Sequence, residues 1–163
     1  MNTVRKTTAF TLSFTLIAAI SFVFLFIATA IVPYWQGLSG IEIQAWFMDH
    51  FGRFSYLMVP VHFLSIITMI IAYIMHRKDE TKRLWLLALI TFLICQFFNF
   101  FVYGPNFNPA LSSGTLDPAV ALATLDQWDF YHVIRTISVC ISLVSLGIIS
   151  IVSRRPADSE YLS

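Results

Sequence analysis

Three polar side chains share one face of an apolar segment that is long enough to be a helix. Gln96, Asn99 and Tyr103 have i, i+3, i+7 spacing, which confines them to about 60° of a helix surface. His62 lies in another apolar segment, about two helical turns from its end. Amides and a phenol donate hydrogen bonds to a carbonyl or an anion, and an imidazole accepts a proton near neutral pH. These residues predict a site that binds a polar group and moves a proton.

A third apolar segment carries the strongest candidates for catalysis. Trp128, His132 and Arg135 have i, i+4, i+7 spacing and therefore share one helix face. His132 is a candidate general base, and Arg135 is a candidate to stabilise a developing oxyanion. Two alternatives stay open for Arg135: it extends outward to lipid phosphates, or it points inward to Asp129, a carboxamide or a bound anion. The amides in turn could simply join helices by hydrogen bonds.

The composition predicts an integral membrane protein. Of 163 residues, 58% are hydrophobic and only 12% are charged, whereas a soluble domain carries about 25% charged residues. The formal net charge of +1 gives no indication of a nucleic-acid partner, and two cysteines cannot form a disulfide framework. The length predicts one domain over residues 1–163.

Four apolar segments are each long enough to cross the hydrocarbon core as a helix, which takes about 20 residues. We predict spans over 9–32, 54–75, 84–103 and 130–152, with long connections over 33–53 and 104–129. Backbone groups in lipid must bond within their own segment, so the predicted fold is all-α, a polytopic transmembrane four-helix bundle. The start of the chain also resembles a signal peptide, but its apolar run is longer than a signal's apolar region.

Local signals predict how the connections fold. Residues 41–51 mix aromatic and charged side chains and predict an amphipathic helix lying at the headgroup level. Gly104-Pro105 predicts the end of the third helix. Asp117-Pro118 predicts the start of the fourth helix, with Asp as the cap and Pro at the first helical position.

The basic residues predict the orientation, because short cytoplasmic segments retain Lys and Arg. This predicts an N-in/C-in topology with both termini cytoplasmic. The polar residues then lie in the outer half of the bilayer, in a pocket open or gated toward the outside. The basic residues that share the predicted inner side are Arg5, Lys6, Arg77, Lys78, Lys82, Arg83, Arg154 and Arg155.

The sequence carries no metal or nucleotide signature. It has no Cys-x-x-Cys, no His-Glu-x-x-His and no Gly-rich phosphate loop. We predict no cofactor, with a haem or a mononuclear metal at His62 and His132 as the alternative. The predicted partners are membrane lipid and a lipophilic small molecule, and the large apolar surface suits a homo-oligomer or a larger membrane complex equally well.

Two motifs flank the second long connection. They read Asn106-Phe107-Asn108-Pro109-Ala110-Leu111, then Trp128, then His132-Val133-Ile134-Arg135-Thr136. They resemble motifs of the anthrone oxygenase-like family of small four-helix membrane proteins, most of which have no assigned function. In that family a Pro and two Asn with a following Leu end the third helix, and a Trp, a His or Asn and an Arg-Thr pair open the fourth. His62 has no counterpart in that pattern.

The resemblance implies oxidation of an anthrone to an anthraquinone by O₂ without a cofactor, in a bacterial cytoplasmic (inner) membrane. We therefore predict a membrane oxidoreductase or oxygenase acting on a lipophilic aromatic or quinone-like compound. In this prediction His132 is the base, Arg135 stabilises the anion, and Asn106 and Asn108 shape the mouth of the pocket. The alternative is a non-catalytic membrane subunit, or a lipid- or quinone-binding protein of a larger complex.

Overall fold

Four long helices form the bundle in the computed structural model, which describes residues 3–153. Each helix is long and apolar enough to cross a membrane, so the protein is an all-α four-helix bundle that fits an integral membrane protein. The first and third helices each pack against both the second and the fourth. Arg154, Arg155 and the residues after them lie outside the described residues. The helices are α1 (Thr3–Gln36), α2 (Gly40–His76), α3 (Lys82–Ser112) and α4 (Pro118–Val152).

The helices are longer than the predicted spans. They contain 31 to 37 residues, which corresponds to about 50 Å of helix, whereas the hydrocarbon core is about 30 Å thick. The extra turns extend mainly at the end where residues 37–39 and 113–117 connect the helices, which we call the capped end. The opposite end carries the turn over 77–81 and is called the basic end.

The predicted helix over 41–51 is present, but it does not lie at the headgroup level apart from the second span, because those residues are the first turns of α2. The helix begins with a capping box: the Ser39 hydroxyl accepts a hydrogen bond from the Glu42 backbone N–H, and the Glu42 carboxylate accepts one from the Ser39 backbone N–H. It then continues through Gly52 into the apolar span. A single helical glycine costs only about 1 kcal/mol relative to alanine, which is too little to break a helix held at both ends.

The starts of α2 and α4 are locked together at the capped end. Asp117 caps α4, as the sequence predicts, by accepting a hydrogen bond from the Ala119 backbone N–H at 2.8 Å. The Gln44 side chain donates to the Leu116 carbonyl at 3.0 Å and accepts from the Leu116 N–H at 2.9 Å. A buried amide that satisfies both backbone groups of one residue fixes the position of the second connection over the bundle.

Gly40 permits this close approach, and its replacement gives a sharp test. A Cβ at position 40 would overlap the backbone of Pro118, whereas a Cβ at position 52 has no atom within 4 Å. We expect Gly40→Ala to destabilise the protein by about 1–3 kcal/mol, as overpacking does. Gly52→Ala on the same helix is the matched control and is expected to be neutral or up to about 1 kcal/mol stabilising. Thermal unfolding in detergent compares them, and equal midpoints for the two variants would contradict the close contact.

Two segments of the helices are π-helical, and each lies beside a proline. Residues Ile27–Ile31 precede Pro33 in α1, and Phe98–Phe107 contain Pro105 in α3. The predicted helix end at Gly104-Pro105 is wrong, because the wider π-helical turns carry α3 past the proline. Proline has no N–H to donate. The Asn106 side chain donates instead to the carbonyls of Phe101 at 3.5 Å and Val102 at 3.1 Å.

A side-chain clasp ties α1 to the turn at the basic end. The Lys6 ammonium donates to both Asp79 carboxylate oxygens at 2.6 and 2.8 Å, and His76 Nδ1 lies 2.8 Å from one of them. Burial raises the pKa of Asp79, but the hydrogen bonds from Lys6 and His76 outweigh it and leave this pKa below its ordinary value of 3.8.

This clasp predicts a small loss of stability in acid. Because the pKa of Asp79 is lower in the folded state, its contribution is present above pH 3.8 and is lost as the pH falls through the folded-state value. The expected loss is below about 1 kcal/mol, since the pair is partly exposed. Thermal unfolding between pH 6 and pH 3 measures it. Asp79→Asn should remove this part of the pH dependence, and an unchanged pH profile in that variant would rule out the clasp as its source.

Candidate functional site

Seven of the nine predicted site residues come together beneath the capped end. They lie between two apolar clusters, one filling the basic half of the bundle and one beneath the connections. Asn108 joins them through a hydrogen bond to Trp128, while Asn106 does not. The residues that the structure brings together are His62 from α2, Gln96, Asn99 and Tyr103 from α3, and Trp128, His132 and Arg135 from α4.

Arg135 points inward and is only 6% exposed. Its Nη1 donates to the Asn99 side-chain carbonyl at 2.7 Å, and its Nε donates to His132 Nδ1 at 2.9 Å. A guanidinium has five N–H groups, so three are without a partner among residues 3–153. Asp129 is only half-buried and forms no ion pair with Arg135. Asp129, a carboxamide and a bound anion are the partners that the sequence leaves open for an inward Arg135. The structure shows the carboxamide, that of Asn99.

Three aromatic rings surround the guanidinium carbon of Arg135. The ring centroids of Tyr103, Phe24 and Trp128 lie 3.9, 4.5 and 5.0 Å from it. Such contacts are each worth about 0.5–2 kcal/mol, while moving a charge out of water costs several kcal/mol. The rings and the two hydrogen bonds offset part of this cost but supply no negative charge. The site therefore has an uncompensated positive charge and free donors, which favour an anionic or electron-rich oxygen.

His132 has no free nitrogen, which conflicts with its predicted role as the base. Arginine only donates, so His132 Nδ1 must accept the hydrogen bond from Arg135 Nε. The proton of the neutral ring is then on Nε2, which lies 3.0 Å from the Phe24 carbonyl and donates to it. The Trp128 ring also stacks on the imidazole at 4.9 Å. His132 thus links the α1 backbone to Arg135 and orients the guanidinium.

His62 is the imidazole of this site that has an unused nitrogen. It is 6% exposed, and its Nδ1 is buried without a hydrogen-bond partner among the described residues. His62 and Arg135 share the Phe24 ring as a neighbour, because the centroid of that ring lies 4.5 Å from the guanidinium carbon of Arg135 and 5.8 Å from the centroid of the His62 ring. A buried ring nitrogen without a hydrogen-bond partner is costly, and in the tautomer with the proton on Nε2 the Nδ1 of His62 can take a proton from a ligand.

Further hydrogen bonds hold the side chains that surround Arg135. The Tyr103 hydroxyl donates to the Trp128 carbonyl at 2.7 Å, and Trp128 Nε1 donates to the Asn108 side-chain oxygen at 3.1 Å. The Asn99 amide nitrogen lies 3.5 Å from the Gln96 side-chain oxygen. The Asn99–Gln96 contact lies within α3, whereas the two bonds of Trp128 join α3 to α4. They fix the rings that cover the guanidinium and show Asn108 as a support for Trp128.

Asn106 lies away from the cluster, and the prediction that it shapes the mouth is not supported by its placement. It is exposed, and its amide bonds to carbonyls of its own helix near Pro105. Sequence reasoning also missed Phe24, which supplies both a ring to Arg135 and a carbonyl to His132. No sequence signal marks it, because it is one apolar residue in a long apolar run.

Comparisons with known proteins add no assignment for this site. No protein-family model, no curated protein and no solved structure matches the chain. Among residues 3–153, no group of three or more His, Cys, Asp or Glu side chains is placed to hold a metal ion. The likeness to the anthrone oxygenase-like family therefore depends on its sequence motifs, and the activity that it implies is a prediction.

Proposed function

We propose that the protein is a membrane oxidoreductase or oxygenase that acts on a lipophilic aromatic or quinone-like compound. One observation carries this proposal: a buried guanidinium with free donors and a buried imidazole with a free nitrogen line the same part of the bundle. An acidic compound can lose a proton to His62 while its oxygen accepts hydrogen bonds from Arg135. Apolar and aromatic walls suit a flat ligand, and low polarity strengthens the stabilisation of the anion.

The proposed chemistry balances with O₂ as the oxidant and without a cofactor. His62 Nδ1 takes one proton from a ring CH₂ group that lies opposite a ketone in the central ring of a fused aromatic system, and Arg135 stabilises the oxygen of the resulting conjugated enolate. The enolate carbon gives its electron pair to O₂, and the proton from His62 completes a C–O–O–H group. Loss of water, which includes the second hydrogen of that carbon, leaves a new carbonyl. The sum is CH₂ and O₂ giving C=O and H₂O.

A second candidate is a protein that only binds a lipid or quinone, alone or as a subunit of a larger complex. The packing of three rings around Arg135 favours it, because they leave only the edge of the guanidinium for a ligand. Such a site can hold one polar head group. Binding without oxygen consumption would be its signature.

Oxygen consumption distinguishes the two candidates. The full chain in lipid nanodiscs is supplied with an anthrone, and dissolved O₂ and the absorbance of the anthraquinone are followed together. We expect one O₂ consumed for each quinone formed, at a rate above that of empty nanodiscs. Retention of the anthrone by the protein with no O₂ consumption above that background would reject the oxygenase and favour the binding protein.

We also propose that the basic end faces the cytoplasm of a bacterial cell. Positive charge is concentrated there, and cytoplasmic segments retain Lys and Arg. The capped end, with the candidate site beneath it, then lies on the far side of the inner membrane. Reporter fusions to each end measure this topology. Described basic residues at or near the basic end are Arg5, Lys6, Arg77, Lys78, Lys82 and Arg83.

A further inference from the structure

The candidate site is closed toward the aqueous phase at the capped end. Trp35, Phe47 and Trp128 are 3%, 1% and 4% exposed and pack on one another with ring centroids 5.0 to 6.4 Å apart. The two connections are locked over them through Gln44 and Leu116. A route from water would require this buried aromatic layer to separate. Of the two forms of the sequence prediction, a pocket open at this end is wrong, and a gated one stays a prediction.

Buried apolar side chains also close the site toward the basic end and toward α1. Phe92, Met69 and Cys95 are fully buried directly toward the basic end. On α1, Phe24 is 2% exposed and packs on both His62 and His132. These side chains leave no polar path to the basic end, and they block approach between α1 and its two neighbours at this depth.

The side between α2 and α3 is different, because a thin aromatic layer separates His62 from lipid. The Phe100 ring lies edge-on to His62 with centroids 6.5 Å apart, and it packs on Phe63 at 4.9 Å. Phe63 is 52% exposed on the outer surface, while Phe100 and Asn99 are half-buried. Phe100 also lies in the π-helical segment Phe98–Phe107, a kind of helical irregularity that is frequent at functional sites.

We infer that the ligand reaches His62 from the bilayer, between α2 and α3, and that Phe100 is the side chain that must move to admit it. Phe100 therefore sets the width of the entrance and the size of the ring system that passes. The ligand is a membrane-dissolved lipophile rather than a solute taken from water. The inference holds for either candidate function, because a substrate and a stored lipid would use the same route.

Chemical modification of His62 tests the route without any need for turnover. The full chain in nanodiscs is treated with diethyl pyrocarbonate, which enters lipid and acylates a free imidazole nitrogen, and peptide mass spectrometry follows each histidine. We expect Phe100→Ala to raise the rate at His62 about tenfold, the factor that loss of aromatic packing on this scale gives. Phe100→Trp should lower it. His132, with both nitrogens bonded, should stay slow in the wild type and in each variant.

Phe97→Ala is the matched control, because Phe97 lies on the same helix, is 54% exposed and packs on Phe98 and Phe101 rather than on His62. In the Phe97→Ala variant, His62 is expected to be acylated at a rate within about twofold of the wild-type rate. If Phe100→Ala does not fold, Phe100→Leu replaces it in this test. An equal increase in the Phe97 variant, or no change in a folded Phe100 variant, overturns the entrance. These results do not depend on O₂ consumption, so failure of the oxygenase proposal is recognised separately.

Discussion

Arg135→Gln is expected to reduce anthrone-dependent oxygen consumption by about 10²–10³-fold, the loss seen when one oxyanion donor is removed from a preorganised site. The guanidinium is buried beside three rings, bonded to Asn99 and His132, and unpaired with any carboxylate among the described residues. Its charge is thus available to an anion that forms in the site. Glutamine retains a donor for Asn99 but carries no charge. The measurement is the initial rate of oxygen consumption in nanodiscs.

Arg135→Lys separates charge from geometry. Lysine keeps the positive charge but lacks the planar fork that holds Asn99 and His132 together, so its rate should fall between those of wild type and Arg135→Gln. Thermal unfolding of each variant shows whether the fold survives. A folded Arg135→Gln variant with the wild-type rate would leave the guanidinium with no part in catalysis.

Replacement of the two buried histidines is expected to affect different properties: the rate for His62 and the stability for His132. His62→Gln should lower the rate by about 10²–10⁴-fold, the usual contribution of a general base, while the unfolding midpoint changes little. This follows because His62 Nδ1 has no hydrogen bond to lose. Thermal unfolding and oxygen consumption are measured on the same preparation in nanodiscs.

His132→Ala is expected to lower stability by about 1.5–3 kcal/mol, because it removes a hydrogen bond to a charged group. It also frees the Phe24 carbonyl and Arg135 Nε inside the bundle. Its effect on the rate should follow from the displaced guanidinium, and His132→Asn should restore part of both properties by keeping a polar partner. If His132→Ala is stable and His62→Gln is not, the assignment of base and support must be exchanged.

The resemblance and the structure emphasise different members of the same cluster. The motif residues Trp128, His132 and Arg135 lie together on α4, and the pattern that names them has no place for His62. The hydrogen bonds assign His132 to holding Arg135, which leaves the free nitrogen on α2. The α4 motif therefore contains the cation, whereas the ring nitrogen without a partner belongs to a residue outside the motif.

The sequence by itself determined the membrane class, the number of helices and most of the residues in the cluster. Each of these depends on local properties: long apolar runs require helices in lipid, and i, i+3, i+4 and i+7 spacing places polar residues on one face whatever the neighbours are. The start of α4 at Pro118 could also be predicted from the sequence, because Asp117 caps its own helix.

Tertiary structure alone decided which histidine has an unpartnered nitrogen, which rings cover Arg135 and which aromatic side chains close the site at the capped end. His132 is occupied because the Phe24 carbonyl, 108 residues away in sequence, meets its ring. Asn106 bonds to carbonyls of its own helix and so lies away from the cluster. Hydrogen-bond partners across helices depend on register, rotation and π-helical turns, and no spacing within one segment encodes these.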